Sequence, residues 1–117
     1  PLIIHGDGTQ TRSFTWVGDV VNYFYLLAEK QIYGEIFNIG QTEEISIKNL
    51  AEMIIKETDS KSEIIFKTHK EVYGEKFEDP MRRTPSIKKI VNATGYLPTM
   101  TIPEMIKEII DYKKLNS

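Results

Sequence analysis

Few side chains in this sequence are of types that do chemistry, and their spacing narrows what that chemistry can be. His5 and Arg12 flank the glycine turn Gly6-Asp7-Gly8. A phosphate-cradling loop needs a Lys-Ser/Thr pair opening a helix, so that backbone N–H groups and the helix dipole meet the phosphate. Here the glycines lead into Thr11-Arg12-Ser13-Phe14, a run that reads as extended. A dinucleotide loop needs a third glycine, where Thr11 stands, and a helix directly after it. The stretch therefore reads as a hairpin turn. Its tightness would hold the flat ring of His5 and the guanidinium of Arg12 in place on either side.

The remaining candidates are fewer. His5 and His69 have no second histidine at metal-ligand spacing, which argues against zinc. There is no Gly-x-Ser-x-Gly elbow among the serines. Tyr112 is followed directly by Lys113, not by a lysine four residues on. Arg82-Arg83 ends a long polar stretch just before a predicted helix. Such a pair is either solvated surface or a bidentate anion clamp. Residue chemistry alone favours the surface.

The elements that must position these residues follow from apolar spacing. Leu2-Ile3-Ile4 reads as a strand, and Phe14 to Val17 as a second extended piece. Val17, Val20, Val21, Phe24, Leu27 and Ala28 recur at helical spacing through about residue 30, with Asp19 in the favourable first turn. Glu35 to Ile39 is predicted as a strand closed by Gly40. Ser46 caps a helix whose stripe is Ile47, Leu50, Ala51, Ile54 and Ile55. Glu63 to Thr68 is a further strand, and residues 69–84 read as a long polar loop. Thr84-Pro85 is expected to open a short helix carrying Ile87, Ile90 and Val91 and stopping at Gly95. Thr101-Ile102-Pro103-Glu104 is a capping box for a last helix, with Ile102, Met105, Ile106, Ile109 and Ile110 inward and Lys113 and Lys114 near its negative end. The sum is a small α+β domain of short strands with about four helices.

Composition excludes several classes. The 117 residues fit one domain, 1–117, and at 40% hydrophobic and 27% charged they have the make-up of a soluble globular protein. A net charge of −2 supplies no basic field for nucleic acid or an anionic membrane, so neither is expected as a partner. No apolar run approaches the ~20 residues of a membrane span. The absence of cysteine excludes disulfides and thiolate metal sites, and is compatible with the cytoplasm. The chain enters without methionine directly on a strand-like run, PLIIHG, and is expected to be a piece of a longer protein.

Five segments taken together resemble a known group. "GDGTQTRSFTWVGDVV", "EIFNIG", "SIKNLAEMI", "DPMRRTPSIKKI" and "GYLPTMTIPEMIKEIIDY" stand in the order and spacing of the C-terminal part of extended short-chain dehydrogenase/reductases acting on nucleotide sugars. That group contains UDP-glucose 4-epimerases, UDP-glucuronate decarboxylases and dTDP-glucose 4,6-dehydratases. Each motif alone is weak; all five in order specify the family, and say little of the member. The resemblance implies that the glycine-rich NAD loop and the catalytic Tyr-x-x-x-Lys belong to an N-terminal Rossmann domain, and neither is present in these residues. It implies no catalytic, cofactor or metal residue here. NAD would be bound by the N-terminal domain, and this lobe would hold the nucleotide diphosphate of a UDP- or dTDP-sugar. By that resemblance Arg12 and Arg83 reach the diphosphate or ribose, His5 packs on the base, and Gln10 touches the ribose. Ser86 departs from the family's aspartate at that position, which puts a ribose contact there in doubt but leaves helix capping open. The implied partners are the nucleotide sugar, the chain's own Rossmann domain and, for the full enzyme, a second copy in a homodimer. The rival reading is a stand-alone small ligand-binding domain with no catalytic partner.

Overall fold

The computed structural model describes residues 1–74 and 79–116; part of the predicted 69–84 loop lies outside them. The architecture is α+β, with five helices among the described residues. In chain order the elements are β1 (Leu2–His5), β2 (Thr11–Arg12), α1 (Val17–Glu29), β3 (Ile45–Ser46), α2 (Ile47–Glu57), β4 (Ile64–Lys67), α3 (His69–Tyr73), β5 (Arg82–Arg83), α4 (Lys88–Thr94) and α5 (Ile102–Leu115). The chain divides into two compact units. Pro1–Arg12, Ile45–Arg83 and Ile106–Ser117 form the first; Ser13–Glu44 and Thr84–Met105 form the second.

In the first unit β1 runs parallel to β4, from Leu2 opposite Ile64 to His5 opposite Lys67. Ile4, 1% exposed, is the buried residue of β1. β2 belongs to another ladder, antiparallel to β3 and parallel to β5. The glycine turn is therefore not a hairpin: its flanking strands pair with different partners. The second extended piece also sits earlier than predicted, at Thr11–Arg12 in place of 14–17, because the ladder partners lie opposite residues 11 and 12. Ser46 caps α2 as expected, its hydroxyl accepting from the Asn49 N–H at 3.1 Å. Ala51 is the fully buried member of the α2 stripe. The predicted long loop contains α3, closed by a reciprocal box. The Thr68 hydroxyl accepts from the Glu71 N–H at 3.2 Å, and the Glu71 carboxylate accepts from the Thr68 N–H at 2.7 Å.

In the second unit the core is Tyr23, Ile87 and Ile90, with Leu27, Phe37, Ile39, Val91 and Tyr96 packed around it. Tyr23 donates to the Tyr96 carbonyl at 3.1 Å, and burial pushes its phenol pKa up. Asp19, 3% exposed in the first turn of α1, accepts from the Tyr96 hydroxyl and from the Thr99 N–H. Val17, Val21 and Phe24, members of the helically spaced apolar set that predicted α1, are 64%, 58% and 61% exposed. The predicted strand at 35–39 makes no ladder among the described residues. Lys89 instead ties it down, donating to Glu35 at 2.7 Å and to the Ile36 carbonyl at 3.0 Å, while Phe37 and Ile39 reach the core. A strand needs a partner for its backbone groups, and apolar alternation alone supplies none.

α4 begins at Lys88, not at Pro85, and its N-cap is Ile87 without a side-chain bond, so Ser86 does not cap it. It stops at Gly95, whose φ of 75° is the left-handed conformation that ends a helix. α5 opens on one half of the predicted box: the Glu104 carboxylate accepts from the Thr101 N–H at 2.8 Å and from the Thr101 hydroxyl at 2.6 Å. Ile102, Met105 and Ile106 are buried, but Ile109 is half exposed, contrary to the predicted stripe. No helix among the described residues is long and apolar enough to cross a membrane.

Candidate anion-binding site

The site is built within the first unit, at the turn between β1 and β2 and the ladder beyond it. Asp7 closes the turn by accepting from the N–H and hydroxyl of Thr9 at 2.9 and 2.7 Å, and these bonds hold its carboxyl below the usual range. Gly6 has φ +82°, a left-handed conformation that favours glycine, and a Cβ there would stand 2.6 Å from the His69 imidazole, which would have to shift. Gln10 is buried and braces the turn, its side-chain amide donating to the His5 carbonyl at 2.7 Å and its backbone carbonyl accepting from the Ile47 N–H. His5 ends β1 half-buried. It shares a 2.8 Å hydrogen bond with the Tyr73 hydroxyl and meets that ring edge-on at 5.2 Å.

The two arginines come together through strand pairing. Arg12 in β2 stands opposite Arg83 in β5, and Thr11 opposite Arg82. Directly opposite residues in a pleated ladder leave it on the same face, about 4.8 Å apart. Two guanidinium stems thus start side by side from segments some seventy residues apart in sequence. Arg83 is exposed. Arg12 is partly buried and firmly held. One terminal nitrogen donates to the carbonyls of Thr11 and Pro80 at 2.7 and 2.8 Å, and the other forms a close ion pair with Asp79. The pairing also corrects the expected setting of Arg83, which lies in a strand and not at a helix mouth.

A hollow of about 640 Å³ opens beside this ladder, lined by Gly6, Asp7, Gln10, Phe66, Thr68, His69, Asp79 and Met81. Neither guanidinium lines it; Asp79 borders it and touches Arg12. Asp79 and His69 were not singled out as site residues by sequence, although Asp79 stands within the quoted D-P-M-R-R run. The glycines at 6 and 8 lead into a strand and not a helix N-terminus, so this turn lacks a dinucleotide cradle. Among the described residues no cluster of three or more metal-ligating side chains forms.

The family described as GDP-mannose 4,6 dehydratase matches residues 1–109. A UDP-N-acetyl-alpha-D-glucosaminuronate decarboxylase of Bacillus cytotoxicus is 34% identical over 95% of this chain and 35% of its own length. The human dTDP-D-glucose 4,6-dehydratase is 35% identical over 97% of this chain and 32% of its own. A crystal structure of UDP-glucuronic acid 4-epimerase from Bacillus cereus, in complex with UDP-glucuronic acid and NAD, superposes on the whole chain and 36% of its own at a TM-score of 0.79 and 33% identity. The chain spans about a third of the length of these relatives. It belongs to the NAD-dependent nucleotide-sugar epimerase and dehydratase family, the extended short-chain dehydrogenase/reductases.

Proposed function

We propose that this chain is the substrate-binding part of a longer NAD-dependent enzyme that epimerises, dehydrates or decarboxylates a UDP- or dTDP-sugar. Its role is to hold the nucleotide diphosphate between Arg12 and Arg83, with His5 against the base and Gln10 supporting the turn beside the ribose. One observation carries the reading: the register that sets Arg12 opposite Arg83. Two guanidiniums on one face suit a diphosphate, since charge-assisted, forked bonds to phosphate oxygens are the strong kind. The relatives named above act on nucleotide sugars or are described with them bound, and this supports the same ligand class here.

NAD belongs to the part of such an enzyme outside these residues. Bound there, it would oxidise the sugar transiently; this chain's side chains bind and orient the nucleotide. The exposed face of α1, with Val17, Val21 and Phe24, suits a covering partner, and we assign that role to the enzyme's own Rossmann domain. The expected test result is specific. Arg12→Ala or Arg83→Ala in the full-length protein weakens nucleotide-sugar binding by about 1.5–3 kcal/mol, the scale of a hydrogen bond to a charged group. Titration calorimetry with UDP-glucose and dTDP-glucose reads this directly, and equal affinity for both variants and wild type overturns the proposal.

A further inference from the structure

We infer that Asp79 is the positioning residue of the anion site: it pins the Arg12 guanidinium so that its remaining N–H groups serve an incoming diphosphate. The inference rests on the proposed role of Arg12. It starts from the donor count. A guanidinium has five N–H donors. Both hydrogens of one terminal nitrogen are used by the Thr11 and Pro80 carbonyls, and one hydrogen of the other by Asp79. Two donors remain.

Asp79 is suited to this role by place and charge. It is the residue that both borders the hollow and grips Arg12. Its side chain and that of Arg12 are 23% and 21% exposed, dry enough for the pair to hold its geometry. Arg12 and Arg83 sit side by side as like charges, an unfavourable cross-strand pair in the absence of an anion. A carboxylate on Arg12 offsets that repulsion before any ligand arrives. The two carbonyl bonds fix only one nitrogen, leaving rotation about that end; the third contact, on the other nitrogen, locks the plane of the fork.

The test uses the full-length protein, with UDP, dTDP and GDP and their nucleosides as probes, measured by calorimetry. Asp79→Ala is expected to weaken the best-bound diphosphate about tenfold, a coupling of ordinary size for contacting residues. Asp79→Asn, which keeps an acceptor oxygen, should retain part of the affinity. Nucleoside affinity should not change, whereas a merely structural defect would lower both. In an Arg12→Ala background, Asp79→Ala should have no further effect. Unchanged or tighter diphosphate binding by Asp79→Ala overturns the inference and makes Asp79 a bystander or a competitor. Loss of nucleoside affinity in step with that of the diphosphate also overturns it. If Arg12→Ala itself leaves diphosphate binding intact, or no probe binds wild type, the proposed function fails first and the inference with it.

Discussion

Arg83 and Arg12 have opposite environments, and a conservative change separates the forked contact from mere charge. Arg83 is exposed in β5, whereas Arg12 is clasped by two carbonyls and a carboxylate. Arg83→Lys should recover only part of the diphosphate affinity that Arg83→Ala loses, because an ammonium is a point charge without a planar fork. Full recovery in calorimetry would mean that charge alone suffices. At this scale the sequence was half legible. The type of Arg12 and its place after a glycine turn marked it. Asp79, 67 residues away, carries no local spacing signal; only the folded chain brings it to Arg12.

Among the elements, the helices were readable and the short strands were not. α2 and α5 announce themselves by Ser46, which caps as expected, and by Thr101–Glu104, of which the structure forms the Glu104 carboxylate half. β2, β3 and β5 have two residues each, too few to show a period, and exist because they pair with one another. The 35–39 segment errs the other way, with strand composition and no partner among the described residues. The capping carboxylates carry a pH prediction. Hydrogen bonds from Thr68 and Thr101 hold Glu71 and Glu104 below their ordinary value of 4.5. A depressed folded pKa contributes stability that is complete above about 4.5 and is lost as pH falls through the lower folded value. The melting temperature should fall between pH 7 and pH 3, and fall less in a Glu71→Gln/Glu104→Gln variant. Identical pH profiles for variant and wild type would rule this out. The outward face of α1 carries another. Val21→Ser and Phe24→Ser should change the stability of this chain by no more than about 0.5 kcal/mol, as exposed substitutions do, yet lower the denaturation midpoint of the full-length protein measurably. Equal effects in both would show that nothing covers that face.

On the proposed function the whole molecule is a binding part, and the chemistry lies elsewhere in the enzyme. General acid–base work on the sugar needs a Tyr-Lys pair and NAD, and these residues encode neither site. The chain should therefore leave UDP-glucose unchanged when NAD is added, and turnover by it would refute the division of labour. A homodimer is expected of the full enzyme through its other domain. The exposed apolar face of α1 should give this chain only loose association, which light scattering on dilution would reveal. The central claim, that Arg12 and Arg83 together hold a nucleotide diphosphate, is tested most directly by calorimetry on the full-length Arg12→Ala/Arg83→Ala variant. The account predicts that affinity for UDP- or dTDP-sugar falls by at least about 1.5–3 kcal/mol, while NAD affinity is unchanged. Nucleotide-sugar affinity equal to that of wild type would contradict it.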